Sequence, residues 1–190
     1  MQSCLGFIQI FLSKEAIKFE NKEEADRIVN NYIAFSVLWS VGANVHDTDR
    51  KKFELNFKAC IKEHQTDLDP SVNDFYEQGI DQKTHKFSSW SDQITEHYVF
   101  NKEQNFFDIL VPTNDTVKYK FLLEKLLMNG RNALVMGETG VGKSVITKNF
   151  LMYAPETLQS AFINFSGKTT TTNLVDAMEG NLEKLRKTLL

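Results

Sequence analysis

The sequence has few cysteines, few prolines and no excess of positive charge, and each shortage excludes something. Cys4 and Cys60 are the only thiols in 190 residues, too few for the disulfide framework of a small secreted domain, and they fit a reducing, cytosolic compartment. Three prolines and nine glycines are too few for a proline-rich linker or a collagen-like repeat. No internal repeat or low-complexity tract is visible. Lysine and arginine total 22 against 25 acidic residues, a net charge of -3, so the chain lacks the basic character of a sequence-independent nucleic-acid binder. The longest apolar run, 33–43, is broken by Ser36 and Ser40 and falls well short of the ~20 residues that a membrane-spanning helix needs. No membrane partner is expected. The apolar stretch 4–12 has no basic segment before it and no small-residue cleavage site, which argues against a secretory signal. Without one, the glycosylation-like triplets at Asn114 and Asn164 carry no meaning. His46, His64, His85 and His97 show no i, i+4 partner and no cysteine pair beside them, and read as surface or packing residues rather than metal ligands.

What is present is an ordinary globular composition, 42% hydrophobic and 25% charged, around one stretch with chemistry. Residues 137–144 read Gly-Glu-Thr-Gly-Val-Gly-Lys-Ser, the spacing of a phosphate-binding loop. A triphosphate packs its charges too tightly for long side chains to surround, so backbone N–H groups must close in on it. Gly137, Gly140 and Gly142 permit the positive φ angles that turn successive amides inward. Lys143 carries a full charge to the β- and γ-phosphates, and the Ser144 hydroxyl offers an oxygen to Mg²⁺. Glu138, Thr139 and Val141 complete the loop through their backbone. The flanks have the required order: 132–136 is a short apolar run of buried-strand type, and 145–153 carries Val145, Ile146, Asn149, Phe150 and Tyr153 at mostly helical intervals before Pro155. A following helix N-terminus adds partial positive charge at the phosphates.

Upstream, 21–42 reads as a helix capped by Asn21, with Gly42 as its C′ residue and a second half apolar nearly all round. A second helix, 48–64, places Phe53, Phe57, Cys60 and Ile61 on one face. Its charge run is a solvated face. Between 67 and 108 short aromatic runs at 75–76, 86–90, 98–100 and 106–107 read as strands or arms; interleaved carboxylates make an aromatic nucleic-acid platform implausible. Asp115 or Thr116 can cap a helix through about Met128 that Gly130 ends. After the loop, 161–165 reads as a second strand, and Thr169 to Thr172 cap a last helix with Leu174, Ala177, Met178, Leu182 and Leu185. The fold class is therefore α/β: helices alternating with strands around a phosphate loop imply a parallel sheet covered on both faces, preceded by an α-helical subdomain.

The run 109–119 (Ile-Leu-Val-Pro-Thr-Asn-Asp-Thr-Val-Lys-Tyr), the loop itself, and 163–166 with 170–174 resemble the start of the third AAA+ module of a dynein heavy chain. Residues 35–43 with 49–53 resemble the helical subdomain closing that family's second module, and 86–90 with 106–107 its connector. This resemblance implies three parts: 1–66, a helical subdomain closing the preceding module; 67–108, a connector; and 109–190, the N-terminal half of a P-loop AAA+ large subdomain. It implies ATP with Mg²⁺ as cofactors, Val111, Pro112 and Thr113 near the adenine, and Gly137 to Ser144 on the phosphates. It also implies neighbouring AAA+ modules of the same heavy chain as partners. Intermediate and light chains and microtubules are expected through the parent motor, in the cytoskeleton of an axoneme.

A hydrolytic site of this kind needs an acidic strand end and an arginine as well. Neither is visible, since the run 161–165 ends in Ser166 and Asp176 and Glu179 fall in a helical pattern. The expectation is a piece of a longer chain that does not hydrolyse ATP by itself, and the resemblance implies an ATP-binding, regulatory role for it within the parent protein. A free-standing small P-loop NTPase or kinase would need a lid with arginines, and after the loop only Arg186 remains. A non-catalytic interaction fragment is disfavoured by the intact Lys143 and Ser144.

Overall fold

Residues 2–13, 21–94, 110–155, 158 and 160–180 are described by the computed structural model, and they form six α-helices and one small sheet. The chain divides into two units, Met1–Thr147 and Lys148–Leu190, the division falling within a helix.

The first helix, α1 (Gln2–Ser13), answers to a stretch in which no helix was expected. Phe7, Ile10 and Phe11 stand at i, i+3 and i+4 and are all buried, so one face is apolar and packs on the next helix. That helix, α2 (Lys22–Ser40), starts where expected: the Asn21 side chain accepts from the Glu24 amide at 2.8 Å, with Glu23 and Glu24 in the first turn. Phe35 and Leu38 in its second half are fully buried, while Ile33 and Val41 stay exposed. Gly42 is its C′ residue as expected, though not in the left-handed conformation. Val41 is the C-cap, and Gly42 opens a 3₁₀ turn, Gly42–Asn44. Space explains the glycine: a Cβ there would lie 2.6 Å from the Tyr76 hydroxyl and 2.7 Å from the Phe53 ring.

Helix α3 (Asp47–Glu63) is capped by His46 and lays Phe53, Phe57 and Ile61 against the core. Cys60, expected on that face, is exposed. Glu54 is buried instead, its carboxylate accepting from the Phe75 amide at 3.1 Å and pairing with Lys58 at 2.6 Å. The aromatic stretch that follows supplies strands β1 (Gln78–Ile80) and β2 (Phe87–Ser89), paired antiparallel with Gly79 opposite Ser88. Phe75 and Tyr76, read as a strand or arm, lie in a buried turn. Residues 98–100 and 106–107 lie outside the described residues.

The 81–86 connection is built by Asp81. Its carboxylate accepts from the Lys83 amide at 2.8 Å and the Thr84 hydroxyl at 3.1 Å, and these bonds hold its pKa below the usual aspartate value. A depressed pKa stabilises the fold above the unfolded value of about 3.9, and that contribution is lost as pH falls through the lower folded value. Asp81→Ala should therefore flatten the acid limb of the stability curve below about pH 4. Melting temperatures between pH 5 and pH 2 that fall equally steeply in both proteins would refute this.

Helix α4 (Asn114–Leu127) begins two residues earlier than a cap at Asp115 would allow, and three earlier than one at Thr116. Thr113 is the N-cap, in a reciprocal capping box with Thr116, so Asp115 lies inside the first turn. There Asp115 pairs with the buried Lys118 at 2.8 Å. Gly130, with φ of 67°, ends the helix as expected, and the Arg131 amide donates back to the Leu126 carbonyl at 2.9 Å.

These elements share one aromatic core. Phe11 stacks on Tyr32 at 5.0 Å and meets Phe35 edge-on at 5.6 Å, and Trp90 packs 5.6 Å from Phe121 of α4. The fully buried Trp90 covers Gly79, where a Cβ would lie 2.4 Å from the indole, and donates its Nε1–H to the Tyr76 carbonyl at 3.1 Å.

The expected parallel sheet does not form among the described residues, whose one sheet is the antiparallel β1–β2 pair. Residues 132–136 have no ladder partner, leaving Leu134 and Met136 at 84% and 80% exposure. In the second unit, 161–165 is likewise unpaired, with Phe165 exposed. A parallel strand is held by neighbours on both sides and by covered faces, and no described segment supplies them. Helix α5 (Lys143–Met152) follows the loop, and α6 (Thr171–Glu179) is capped by Thr170. Leu182 and Leu185 lie outside the described residues.

Candidate phosphate-binding site

The loop 137–142 takes the backbone form that its glycines allow. Gly137, Gly140 and Gly142 have φ of 155°, 88° and 87°. A Cβ at Gly140 or Gly142 would meet nothing within 4 Å, so the dihedral, not crowding, is what calls for glycine there. Successive residues alternating into this region turn their amides toward one concavity, an anion nest.

Lys143 is the first residue of α5 and folds back over the loop. Its Nζ donates to the Gly137 carbonyl at 2.9 Å and to the Glu138 carbonyl. The first helical bond of α5 runs from the Ile146 amide to the Gly142 carbonyl, so the amides of Lys143, Ser144 and Val145 have no partner within the helix. They sit at the positive end of its dipole. Ser144 is exposed and its hydroxyl makes no hydrogen bond among the described residues, while the Thr147 hydroxyl donates to the Lys143 carbonyl at 2.9 Å. Glu138, Thr139 and Val141 are exposed, as expected of residues that contribute backbone. Nest, ammonium and free hydroxyl fit a phosphate chain with a hard cation: the donor set is N–H and N⁺–H for the anion, and oxygen for the metal.

The three residues expected near adenine lie elsewhere in the chain, just ahead of α4. Val111 is exposed, Pro112 half-buried, and the Thr113 hydroxyl is occupied in its capping box. No hydrogen bond or ring contact among the described residues joins them to the loop. Asp176 and Glu179 lie on α6, as the helical pattern indicated.

Two clusters went unnoticed in the sequence. The Cys60 thiol lies 3.7 Å from His64 Nδ1, a pair one helical turn apart that the i, i+4 spacing could have flagged. His85, at φ of 57°, has its Nδ1 2.7 Å from the Tyr32 hydroxyl, a contact 53 residues apart in the chain with no local signal. Among the described residues no group of three or more His, Cys, Asp or Glu could hold a metal ion, and no helix is long and apolar enough to cross a membrane.

Residues 98–190 match the family described as P-loop containing dynein motor region, and residues 1–92 match the dynein heavy chain AAA lid domain. The chain belongs to the dynein heavy chain family. It is an AAA+ segment of such a heavy chain, and the alternatives of a free-standing small P-loop NTPase or kinase or a non-catalytic interaction fragment are not favoured. The human protein named dynein axonemal heavy chain 6 is 30% identical over 190 residues, covering 98% of this chain and 4% of that protein. The Chlamydomonas reinhardtii dynein-1-beta heavy chain of the flagellar inner arm I1 complex is 33% identical over 161 residues, 84% of this chain and 4% of that protein. Dynein axonemal heavy chain 2 of Mus musculus is 29% identical over 185 residues, or 97% of this chain and 4% of that protein. This dynein segment thus spans about 4% of the length of the relatives it matches.

Proposed function

We propose that residues 137–144 are the ATP-binding loop of the third AAA+ module of a dynein heavy chain, a regulatory site within a microtubule motor. On this reading 1–66 closes the second module, 67–108 connects, and 109–190 begins the third. The observation that carries it is the loop itself: three glycines at positive φ, with the Lys143 ammonium held over the carbonyls of Gly137 and Glu138.

When nucleotide enters, the inward amides of the loop and the first amides of α5 bind its phosphate oxygens. Lys143 leaves the two carbonyls for the β- and γ-phosphates, exchanging neutral acceptors for charged ones. The Ser144 hydroxyl would hold the metal. Mg²⁺, when bound, neutralises charge between the phosphates. Val111, Pro112 and Thr113 form the base side of the site. With Asp176 and Glu179 on a helix rather than at a strand end, these residues bind ATP and do not themselves activate water.

The exposed runs 132–136 and 161–165 are read as strands of the module's parallel sheet, completed by the rest of the heavy chain. Relatives named as axonemal and flagellar support a place in the axoneme, with neighbouring modules, associated dynein chains and microtubules as partners. Hydrogen exchange on the intact heavy chain tests the site. Adding Mg·ATP should slow exchange of amides in 138–145, and unchanged exchange there would overturn the assignment.

A further inference from the structure

A second concavity, of about 230 Å³, opens in the first unit between α1, α2, the 81–86 connection and the C-terminal turn of α4. Its floor is the stacked pair Phe11 and Tyr32, both buried. Its rim carries His85, Glu124, Lys125 and Asn129. The volume lies below the range of pockets that bury a whole cofactor and suits the head of one side chain.

Charge selects which head. Glu124 stands in the last turn of α4, at the negative end of the helix dipole, where a carboxylate is disfavoured and a cation favoured. Its carboxylate makes no hydrogen bond or ion pair among the described residues. Among the described residues the one cation on the rim is already engaged, for Lys125 Nζ donates to Gln82 Oε1 at 3.0 Å and lies 5.4 Å from the Phe121 ring centroid. Asn129 uses its Nδ2 on the Lys125 carbonyl at 2.7 Å, which leaves Oδ1 to accept. His85 uses Nδ1 on the Tyr32 hydroxyl, and an approaching cation selects the tautomer in which Nε2 accepts. The backbone presenting that ring is left-handed at a non-glycine residue, held there by Asn31 Nδ2 on the His85 carbonyl at 3.2 Å.

We infer that this concavity is a docking site for an arginine side chain of a partner protein segment, its guanidinium received by Glu124, Asn129 and His85 over the Phe11 and Tyr32 floor. Three separate acceptors match the forked, planar donor set of a guanidinium better than the compact ammonium of lysine. The low-polarity floor strengthens the pairing with Glu124. The inference is independent of the nucleotide site.

The test is a titration of the full chain, isotope-labelled for NMR, with N-acetylarginine methylamide and its lysine and glutamate counterparts. The arginine probe should give saturable shifts centred on Tyr32, His85 and Glu124, and bind more tightly than the lysine probe. Glu124→Gln, an exposed and helix-compatible change, should weaken it about tenfold, as loss of a charged hydrogen bond predicts, without lowering the melting temperature. Shifts that do not saturate, equal binding by Glu124→Gln, lysine binding as tightly as arginine, or preference for the glutamate probe would each overturn the proposal.

Discussion

Replacing Trp90 by alanine should cost the first unit about 3–5 kcal/mol, a large share of the 5–15 kcal/mol that a domain typically has. The indole is fully buried, and its removal opens a cavity that the surroundings cannot readily fill. Phe121 packs against it from α4, and Gly79 lies beneath it on β1, with no side chain to move inward. The Tyr76 carbonyl would also lose its donor at 3.1 Å, so a buried acceptor is left without its partner. Urea denaturation should show the midpoint falling well below that of the parent chain. Leu55→Ala, at a site 68% exposed on α3, serves as the comparison and should change stability by less than about 0.5 kcal/mol. If the Trp90 and Leu55 variants lost similar amounts, the indole could not be the keystone between the β1–β2 pair and α4.

The contrast between Trp90 and the loop indicates what the sequence could and could not reveal. The loop was legible residue by residue because its chemistry is local: the φ angles at Gly137, Gly140 and Gly142 and the helix starting at Lys143 all follow from eight consecutive positions. Helices α2 and α3 were legible to within two residues for the same reason, through the Asn21 cap and the apolar spacing. Helix α1 was missed although Phe7, Ile10 and Phe11 carry a helical interval, because its apolar run was weighed only as a possible leader. Other features depend on residues far apart in the chain. Gly42 and Gly79 are glycines because Tyr76, Phe53 and Trp90 press on them, and nothing within four residues of either signals that pressure. The caps show a subtler limit: Asp115 and Thr116 are both good caps by composition, and Thr113 prevails because Thr116 answers it reciprocally. The parallel sheet is the opposite case. Its strands were legible as apolar runs, but a strand has structure only in company, and 132–136 has no ladder partner.

Lys143→Ala in the intact heavy chain should weaken nucleotide binding at this loop about 30- to 150-fold, the equivalent of the 2–3 kcal/mol of a strong charge-assisted contact. The size of the effect follows from what the lysine does in both states. Without nucleotide its Nζ spans the carbonyls of Gly137 and Glu138, holding the loop in shape at an exposed site, where such contacts contribute little to stability. On the proposed reading the same ammonium would meet phosphate oxygens inside the nest when nucleotide binds, and there it would offset charge that the backbone amides alone match only with partial dipoles. Truncation therefore removes a weak contact from the free state and a strong one from the bound state, and the difference appears as affinity. Photo-crosslinking of an azido-ATP, quantified on peptides from residues 109–144, reads occupancy at this site separately from the rest of the ring. Labelling should fall in the variant while the melting of the first unit stays within about 0.5 kcal/mol of the parent. Undiminished labelling would show that the ammonium does not carry the phosphates and would remove the central support for the ATP reading; equal loss of labelling and of stability would assign Lys143 to holding the loop alone.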